Sequence, residues 1–168
     1  IKLTTIATVA IFGNAPDILP IINFKQVYLS LKYGKSTYLP YAIAAHGFAI
    51  TAFMGDLDKG HDLAKSALQM TEEEDLPLIK AKVMVIYYGF LSYWKNSIVE
   101  SKAPLKLAYS IGRQTGDLLY ATFALSFHNE IRFYTGDNLT ELLTDTTNDC
   151  LIIKNLKQNL VYIISEYQ

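Results

Sequence analysis

The sequence predicts an all-α fold, an α-solenoid of stacked helical hairpins with a period of about 41 residues. Two interleaved series of helix-breaking residues carry this prediction. Successive breaks of the first series share this spacing to within one position, at Gly13-Asn14, Gly55-Asp56, Lys95-Asn96 and Gly136-Asp137. The second series repeats it without deviation, at Gly34, Asp75 and Gly116. One shared period indicates a repeated hairpin with a turn after each of its two helices.

The segments between these turns have the hydrophobic pattern of packed helices. Residues 57–71 place apolar side chains three and four positions apart on one face, with polar side chains mainly opposite. Residues 38–54, 78–94 and 118–134 are apolar nearly all round, so these helices must be covered on most sides. This pattern is typical of a stacked array of hairpins. In such an array the first helix of each hairpin is flanked by the second helix of the same hairpin and by the second helix of the next hairpin.

The turn series divides the chain, which we interpret as a single helical-repeat fragment. We expect repeats over about residues 1–34, 35–75, 76–116 and 117–156, then a truncated repeat over residues 157–168. The chain begins with Ile1 rather than methionine, so we expect a piece of a larger protein. Neither end has a polar cap. We therefore predict self-association through apolar end residues, namely Ile1, Leu3, Ile6, Val9, Ala10, Leu160, Val161, Ile163 and Ile164.

Composition and charge exclude several classes of protein. Hydrophobic residues make up 51% and charged residues 18% of the 168 residues, which rules out intrinsic disorder. Fifteen Lys and Arg against sixteen Asp and Glu leave a net charge of −1, so we expect no nucleic-acid partner. The single cysteine, Cys150, favours a cytoplasmic location. Residues 36–55 lack charged side chains but contain Pro40 and His46, so we expect a packed helix and no membrane association.

When the repeats are aligned at their period, His46, Tyr87 and His128 fall at one equivalent position, or column, in the first helix of successive hairpins. All three side chains are rings with polar atoms. Glu130 lies in a neighbouring column, on an otherwise apolar helix. We take these four residues as candidates for a ligand or partner groove. The alternative is that the rings fill core gaps and find internal partners, while Glu130 forms a structural ion pair. His61 falls on the polar-leaning part of its helix, and we expect it to be solvated.

The sequence offers no constellation of residues for catalysis or metal binding. Its three histidines are not spaced as helical metal ligands, and Cys150 stands alone. The chain has neither a nucleophile elbow nor a Gly-rich phosphate loop. We therefore expect no catalytic residue, no metal and no cofactor. A catalytic triad is defined in space and leaves no fixed spacing, so that alternative stays open.

Six short stretches form an ordered set: Leu31-Lys32-Tyr33-Gly34, Phe53-Met54-Gly55-Asp56, Lys80-Ala81-Lys82-Val83, Tyr93-Trp94-Lys95, Thr115-Gly116-Asp117-Leu118-Leu119-Tyr120-Ala121 and Leu156-Lys157-Gln158. In order and spacing they resemble the TPR-like helical-repeat region of very large signalling proteins. In that family a serine/threonine kinase domain and an AAA-type ATPase module precede the array. A GAF sensor domain and a histidine kinase follow it. Residues 98–102 depart from the more charged stretch that the family has after Trp94-Lys95.

The resemblance implies a non-catalytic interaction or regulatory segment of a multidomain signal-transduction kinase. Such a segment links the ATPase module to the sensor and histidine kinase domains, and its partners are neighbouring domains or a signalling protein. The alternative is an inducer- or peptide-binding solenoid of an ATPase-coupled regulator, which holds a small ligand or a peptide. An independent enzyme is a third class. A closed aromatic-lined cavity would favour ligand binding, whereas an open groove or flat faces would favour a scaffold.

Overall fold

The computed structural model describes residues 2–34 and 36–166, which form helices and no strands. The prediction of an all-α fold is confirmed. The α-helices of the described residues are α1 (Lys2–Asn14), α2 (Leu19–Tyr33), α3 (Leu39–Ala49), α4 (Leu57–Glu73), α5 (Pro77–Ile86), α6 (Lys102–Thr115), α7 (Leu118–Tyr134), α8 (Leu139–Asn155) and α9 (Asn159–Glu166). Short 3-10 helices cover Pro16–Ile18, Ser92–Trp94 and Ile98–Ser101, and π-helical segments cover Ile50–Met54 and Tyr87–Leu91.

Most of the predicted turns have a residue in the left-handed backbone conformation. Four glycines have φ between 72° and 103°, namely Gly34, Gly55, Gly116 and Gly136. Glycine enters this region without a Cβ clash, which is why it commonly follows the end of a helix. Asp75 and Lys157 adopt the same region, with φ of 48° and 57°. Residues with positive φ therefore recur at the predicted period, at Gly34, Asp75, Gly116 and Lys157.

Several helix starts are marked by proline or by a capping side chain. Pro77 is the first residue of α5, where the missing backbone N–H interrupts no hydrogen bond. The Asp56 carboxylate accepts a 3.0 Å hydrogen bond from the Lys59 amide and caps α4. The Asn138 side-chain oxygen accepts from the amides of Thr140 and Glu141 and caps α8. These signals mark the starts of α4, α5 and α8.

Helix contacts follow chain order and also skip one helix. Each helix from α1 to α8 packs against its successor. In addition, α3 contacts α5, α5 contacts α7, and α7 contacts α9. The odd-numbered helices from α3 onward, which are the first helices of the predicted hairpins, therefore form a continuous row. The even-numbered helices, which are the second helices, pack beside this row. The main core cluster follows this row and includes the buried Tyr41, Val83, Leu91 and Tyr120.

A largely buried ion pair joins α5 to Asp117, the residue that precedes α7. Lys82 Nζ lies 2.5 Å from Asp117 Oδ2, and only 16% and 11% of the two side chains are exposed. Lys82 Nζ also lies 4.2 Å from the centroid of the Tyr120 ring, a cation–π distance. Tyr120 in turn donates a 2.9 Å hydrogen bond to the Tyr41 hydroxyl on α3. The pair and the tyrosines thus connect three helices of the row, and Lys82, Asp117 and Tyr120 all belong to the stretches that carry the family resemblance.

The end residues that are predicted to mediate self-association are apolar and mostly exposed where the structure describes them. Leu3 on α1 and Leu160, Ile163 and Ile164 on α9 are exposed. Val161 differs, because it is fully buried in a cluster with Leu125 and Ile153. Ile1 and the side chains of Ile6 and Val9 lie outside the described residues.

The uncharged stretch over residues 36–55 contains α3, the π-helical segment and the turn at Gly55. Most of α3 is buried against other helices of the chain, including Tyr41, Ala44 and Ala45. Across residues 2–34 and 36–166, no helix has both the length and the apolar character that a membrane span requires.

Candidate functional site

A small apolar cavity lies beside the row formed by α3, α5 and α7. Its volume is about 80 Å³, and it is open on one side. Helices α1 and α2 contribute Thr8, Leu19 and Asn23 to its wall. The remaining lining is aliphatic and aromatic, including Tyr41, Phe48, Phe90, Tyr120, Phe123 and Phe127. Concave, mostly apolar sites with a few polar groups are where proteins commonly bind ligands.

Three phenylalanine rings form a ladder along the cavity wall. The centroids of the Phe48 and Phe90 rings are 4.9 Å apart, and those of Phe90 and Phe127 are 4.8 Å apart. Both pairs are tilted or edge-on, which are favourable aromatic geometries. Gly89 permits this packing, because a Cβ at that position would lie 2.9 Å from Cδ2 of Phe127. The ladder therefore requires a residue without a side chain at position 89.

Two buried tyrosines add hydroxyl groups to the cavity wall. Tyr120 donates a 2.9 Å hydrogen bond to the hydroxyl oxygen of Tyr41, and their rings meet edge-on at 6.1 Å. Burial raises the pKa of Tyr41 and raises the pKa of Tyr120 well above its usual value. Both phenols therefore stay protonated at neutral pH, and Tyr41, which accepts from Tyr120, also has a side-chain hydrogen bond with Thr8.

Asn23 contributes a buried hydrogen-bond acceptor that has no partner. The residue is 1% exposed and lines the cavity. Its Nδ2 donates a 3.0 Å hydrogen bond to the Ala45 carbonyl oxygen, which fixes the orientation of the amide. The other amide atom, Oδ1, is buried without a donor. Leaving such an atom unsatisfied costs about 1–3 kcal/mol.

Gln26 repeats this arrangement three residues further along α2. The side chain is fully buried, and its Nε2 donates a 3.3 Å hydrogen bond to Thr8 Oγ1. Thr8 Oγ1 donates its own proton to the Thr4 carbonyl oxygen, so it acts as the acceptor toward Gln26. Gln26 Oε1 is left without a donor. Helix α2 therefore carries two buried amide oxygens with unused acceptor capacity.

The structure places His46, one of the four predicted groove residues, in a second apolar cavity of about 280 Å³. Phe24 and Met54 line the same cavity, and the centroids of the Phe24 and His46 rings are 6.2 Å apart. Burial, with a smaller effect of the Lys59 charge, lowers the pKa of His46. His46 is therefore half-buried on a concave wall and favours the neutral imidazole.

Glu130 and His128 lie further along the row, on α7. Glu130 lines a third cavity of about 500 Å³ together with exposed apolar residues of α7 and α8 such as Phe133 and Leu143. His128 is half-buried, and burial is the main cause of its lowered pKa, followed by the positive charge of Arg132. His46 and Glu130 thus line two different cavities, and the four predicted residues do not form one groove.

Tyr87 lies in the core, bonded to the histidine that we expected to be solvated. Its hydroxyl is 3.1 Å from His61 Nε2, and Tyr87 and His61 are 5% and 4% exposed. His61 Nδ1 is 3.1 Å from an Asp62 carboxylate oxygen, which can only accept, so Nδ1 carries the proton and Nε2 accepts from Tyr87. Hydrogen bonds from His61 and Lys95 lower the pKa of Asp62.

Two predictions are corrected by this network. Tyr87 does not belong to a groove wall, because its ring is enclosed and its hydroxyl has an internal partner. The prediction of a solvated His61 was wrong. The physical reason is that α4 packs against α3, α5 and the π-helical segment Tyr87–Leu91, so its buried face is wide enough to include His61.

The described residues bring no three His, Cys, Asp or Glu side chains together as a metal site would. No family model, no curated protein and no solved structure matches this chain. The candidate site therefore rests on its own geometry, an aromatic-lined cavity beside the row of α3, α5 and α7.

Proposed function

We propose that the chain is a non-catalytic helical-repeat segment that acts through protein–protein contacts inside a multidomain signal-transduction kinase. In this role it links an ATPase module to sensor and histidine kinase domains in the cytoplasm. The kinase context is supported by the ordered stretches that resemble such proteins. The helices are proposed to stack as TPR-like hairpins. The contacts of α3 with α5, α5 with α7 and α7 with α9 support this stacking, because first helices of successive repeats adjoin in a solenoid.

The observation that carries the interaction role is a set of exposed apolar side chains at the ends of the first helices. They form pairs that recur once per predicted repeat, and we call them the exposed edge: Phe53 and Met54, Tyr93 and Trp94, Phe133 and Tyr134. Their exposed fractions run from 36% for Tyr93 to 73% for Met54. Exposed apolar groups that recur in this way are typical of interaction surfaces, and aromatic residues and methionine are enriched there.

The three pairs of the exposed edge are proposed to lie at the same end of the row of first helices. Phe48, Phe90 and Phe127 stack in one ladder, and each precedes a pair by only three to six residues. At 1.5 Å of rise per residue, each pair lies within about 10 Å of its ladder ring along the helix axis. The pairs at 53–54 and 93–94 also belong to the stretches that carry the family resemblance. A partner that contacts one pair could therefore reach the next.

A second candidate function is an inducer- or peptide-binding solenoid of an ATPase-coupled regulator. The aromatic-lined cavity beside α3, α5 and α7 favours this candidate, since an interaction scaffold alone needs no such opening. The two candidates are compatible, because a segment that contacts neighbouring domains can also bind a peptide beside its core.

The test begins with the parent gene, where we expect coding sequence for a Walker-type phosphate loop upstream and for a histidine kinase downstream. In the full-length parent chain, Trp94→Ala and Tyr134→Ala should change histidine autophosphorylation several-fold, while circular dichroism stays unchanged. Tyr33→Ala is the matched control, because Tyr33 is 73% exposed on α2 and lies outside the exposed edge. Unchanged autophosphorylation in both edge variants would contradict the interaction role, and a parent gene without coding sequence for these domains would contradict the kinase context.

A further inference from the structure

We propose that the outward face of α2 binds an amphipathic α-helix of a partner protein, whose apolar residues alternate at intervals of three and four and are flanked by glutamate or aspartate. This inference rests on the proposed interaction role and names the chemistry of one partner. The face, which we call the α2 stripe, consists of Ile21, Phe24, Tyr28 and Leu31.

Helix α2 buries polar side chains and exposes apolar ones. Asn23, Gln26 and Ser30 are buried, and none of them is more than 2% exposed. The four side chains of the α2 stripe are between 44% and 76% exposed. A helix that packs only against its own chain does the reverse, because burial of apolar surface is what stabilises the packing. The α2 stripe therefore has the composition of a face that another molecule covers.

Helix α4, the equivalent helix of the next predicted hairpin, has the usual arrangement. After Leu57 at its first position, every exposed residue of α4 is polar or charged, including Asp58, Lys65 and Glu73. Its buried face includes Ala64 and other small residues. Packing within the chain therefore does not require a second helix to expose apolar side chains, and the α2 stripe needs a separate cause.

The spacing of the α2 stripe selects a helix as the partner. Its members follow one another at intervals of three, four and three residues, which is the spacing of the apolar a and d positions of a coiled coil. At 3.6 residues per turn, these side chains occupy an arc of about 80° and a length of about 15 Å. A stripe this narrow matches the apolar seam of a second helix that lies along α2.

The cavity of about 280 Å³ beside the α2 stripe provides a hole for one side chain of the partner. Ile21 and Phe24 of the stripe line it together with His46, Ile50 and Met54. In coiled-coil packing, an apolar side chain of one helix inserts into a hole formed by residues of the facing surface. A leucine of the partner helix would fill this hole. Met54 belongs to the exposed edge, so the α2 stripe and the exposed edge meet at this cavity.

Two lysines beside the α2 stripe select acidic residues on the partner. Lys25 and Lys32 each follow a member of the stripe by one position, and α2 contains no acidic residue. Their Nζ atoms lie 5.9 Å and 5.7 Å from the centroid of the Tyr28 ring, so both charges lie beside the middle of the stripe. Carboxylates that flank the apolar seam of a partner helix would pair with them, as charged residues beside the seam do in coiled coils.

The same charges disfavour a second copy of the chain and a membrane as the occupant. In an antiparallel pair of α2 helices the same flanks meet, so the lysines of the two copies would repel each other. A parallel pair would bring no carboxylate near them, because α2 has none. Segments that bind anionic membranes carry clusters of about four to eight Lys and Arg, whereas two lysines flank the α2 stripe. An acidic helix of another protein therefore fits this face best.

The experiment titrates the ¹⁵N-labelled 168-residue chain with a designed peptide and follows amide shifts by NMR. The peptide has three heptads, with isoleucine at a, leucine at d and glutamate at e and g. We expect saturable shifts over residues 21–31. A matched peptide with lysine in place of these glutamates should bind at least about tenfold more weakly, because each charge pair becomes a repulsion. Added salt should weaken binding of the glutamate peptide, because it screens exposed charges.

Protein variants test whether the peptide binds the α2 stripe. Leu31→Ser removes an apolar side chain that is 76% exposed and should weaken binding several-fold while the chain stays folded. Leu107→Ser is the matched control, since Leu107 is 50% exposed on α6. Lys32→Glu should weaken binding of the glutamate peptide and strengthen binding of the lysine peptide, whereas Lys65→Glu on the exposed face of α4 should change both little. Circular dichroism and thermal melts establish that each variant is folded.

Four outcomes would overturn the inference. The first is no saturable binding of the glutamate peptide, and the second is equal binding of the lysine peptide. The third is equal binding of the glutamate peptide by the folded Leu31→Ser chain. The fourth is a shift of residues 21–31 when the chain alone is concentrated or when phosphatidylserine vesicles are added, which would assign the face to a second copy or to a membrane.

Failure of this inference is distinguishable from failure of the proposed interaction role. If peptide binding fails while Trp94→Ala still alters autophosphorylation, only the assignment of the α2 stripe falls. If the glutamate peptide binds while the edge variants have no effect on autophosphorylation, the α2 stripe stands as a binding surface without the exposed edge.

Discussion

The backbones of Gly47 and Gly60 approach so closely that a Cβ built on either residue would lie 2.6 Å from the carbonyl oxygen of the other. Gly47 is on α3 and Gly60 on α4, so the two helices of this hairpin touch through their backbones. At Gly60 the added Cβ would also overlap the Thr51 hydroxyl oxygen. Real Cβ atoms do not occupy such positions, and both glycines are buried. This pair therefore fixes the separation of α3 and α4.

We predict that Gly60→Ala lowers the free energy of unfolding by about 1–3 kcal/mol, because the helices must separate to admit the methyl group. Urea denaturation followed by circular dichroism measures this change. Gly13→Ala is the matched control, since a Cβ added there on α1 would meet no neighbouring side chain or helix within 4 Å. The control should raise stability by about 0.5–1 kcal/mol through helix propensity. Equal effects of the two substitutions would refute the close approach.

Tyr87→Phe should lower the free energy of unfolding by about 1–2 kcal/mol. The change deletes the hydroxyl that lies 3.1 Å from His61 Nε2 and leaves that buried nitrogen with a poorer donor, Asn96 Nδ2 at 3.3 Å. Chemical denaturation provides the measurement. Tyr134→Phe removes a hydroxyl from a side chain that is 65% exposed and should be neutral. A neutral Tyr87→Phe would mean that the hydroxyl does not stabilise the fold.

Asp117→Asn should destabilise the chain by roughly 2–4 kcal/mol, because it leaves Lys82 largely buried without its counter-charge. The double variant Lys82→Met with Asp117→Leu should recover most of this loss, since no unpaired charge remains. Glu72→Gln is the comparison for a more exposed pair, as Lys80 and Glu72 are 25% and 57% exposed. It should cost less than about 1 kcal/mol. Thermal melts that rank these variants differently would contradict the role of the buried pair.

The free energy of unfolding should fall as pH is lowered below about 6.5, the usual pKa of histidine. Burial lowers the pKa of His46 and of His128, so the unfolded chain binds more protons than the folded chain in this range. The contribution is therefore fully present above the unfolded pKa and is lost as pH falls toward the folded values. Denaturation curves at pH 7.5, 6.5 and 5.5 test this.

The variants His46→Gln and His128→Gln should each flatten that dependence. NMR titration of the two rings gives their pKa values directly and should place both below about 6.5. The carboxyl groups whose pKa is lowered, Asp62 and Asp137, lose their stabilising contribution only at lower pH. A slope that both variants leave unchanged would assign the pH dependence to other groups.

The purified chain should self-associate at high concentration through its terminal helices. The apolar side chains of Leu3 and Ile163 are 83% and 53% exposed at the two ends. Light scattering should show species larger than a monomer, and Leu3→Lys with Ile163→Lys should reduce them. Leu151→Lys is the control, because Leu151 is 55% exposed on α8. Strictly monomeric behaviour of the unaltered chain would refute this prediction.

The helix ends were predictable because a break in helical structure is a local property. Gly55, Gly116 and Gly136 adopt a left-handed backbone that residues with a side chain adopt only rarely, so their positions in the sequence are informative. Side-chain contacts were less predictable. The alignment of His46, Tyr87 and His128 in one column is valid only if the first helix of each repeat has the same geometry. Tyr87 begins a π-helical segment, whereas His128 lies in the α-helix α7, so equal spacing along the chain does not produce equal orientation.

The candidate site depended on contacts between residues far apart in the chain. Asn23 on α2 bonds Ala45 on α3 through its amide nitrogen, which fixes the orientation of the amide, and its amide oxygen is buried without a donor. No periodicity within α2 contains that information. The same holds for Gly89, whose role follows from the approach of Phe127 on another helix. Periodicity predicted which segments are helices, and tertiary packing decided which of their atoms face the cavity.

The π-helical segment Tyr87–Leu91 gives this region a tolerance for changes in chain length. A π-helical turn accommodates one residue more than an α-helical turn, so it absorbs that residue without rotating the helix on either side. Loss of a single codon within this segment should therefore restore a regular α-helix while Ser92 stays in the interior and Trp94 stays at the surface. Evolutionary variants of this protein should gain or lose single residues here more readily than within its regular α-helices.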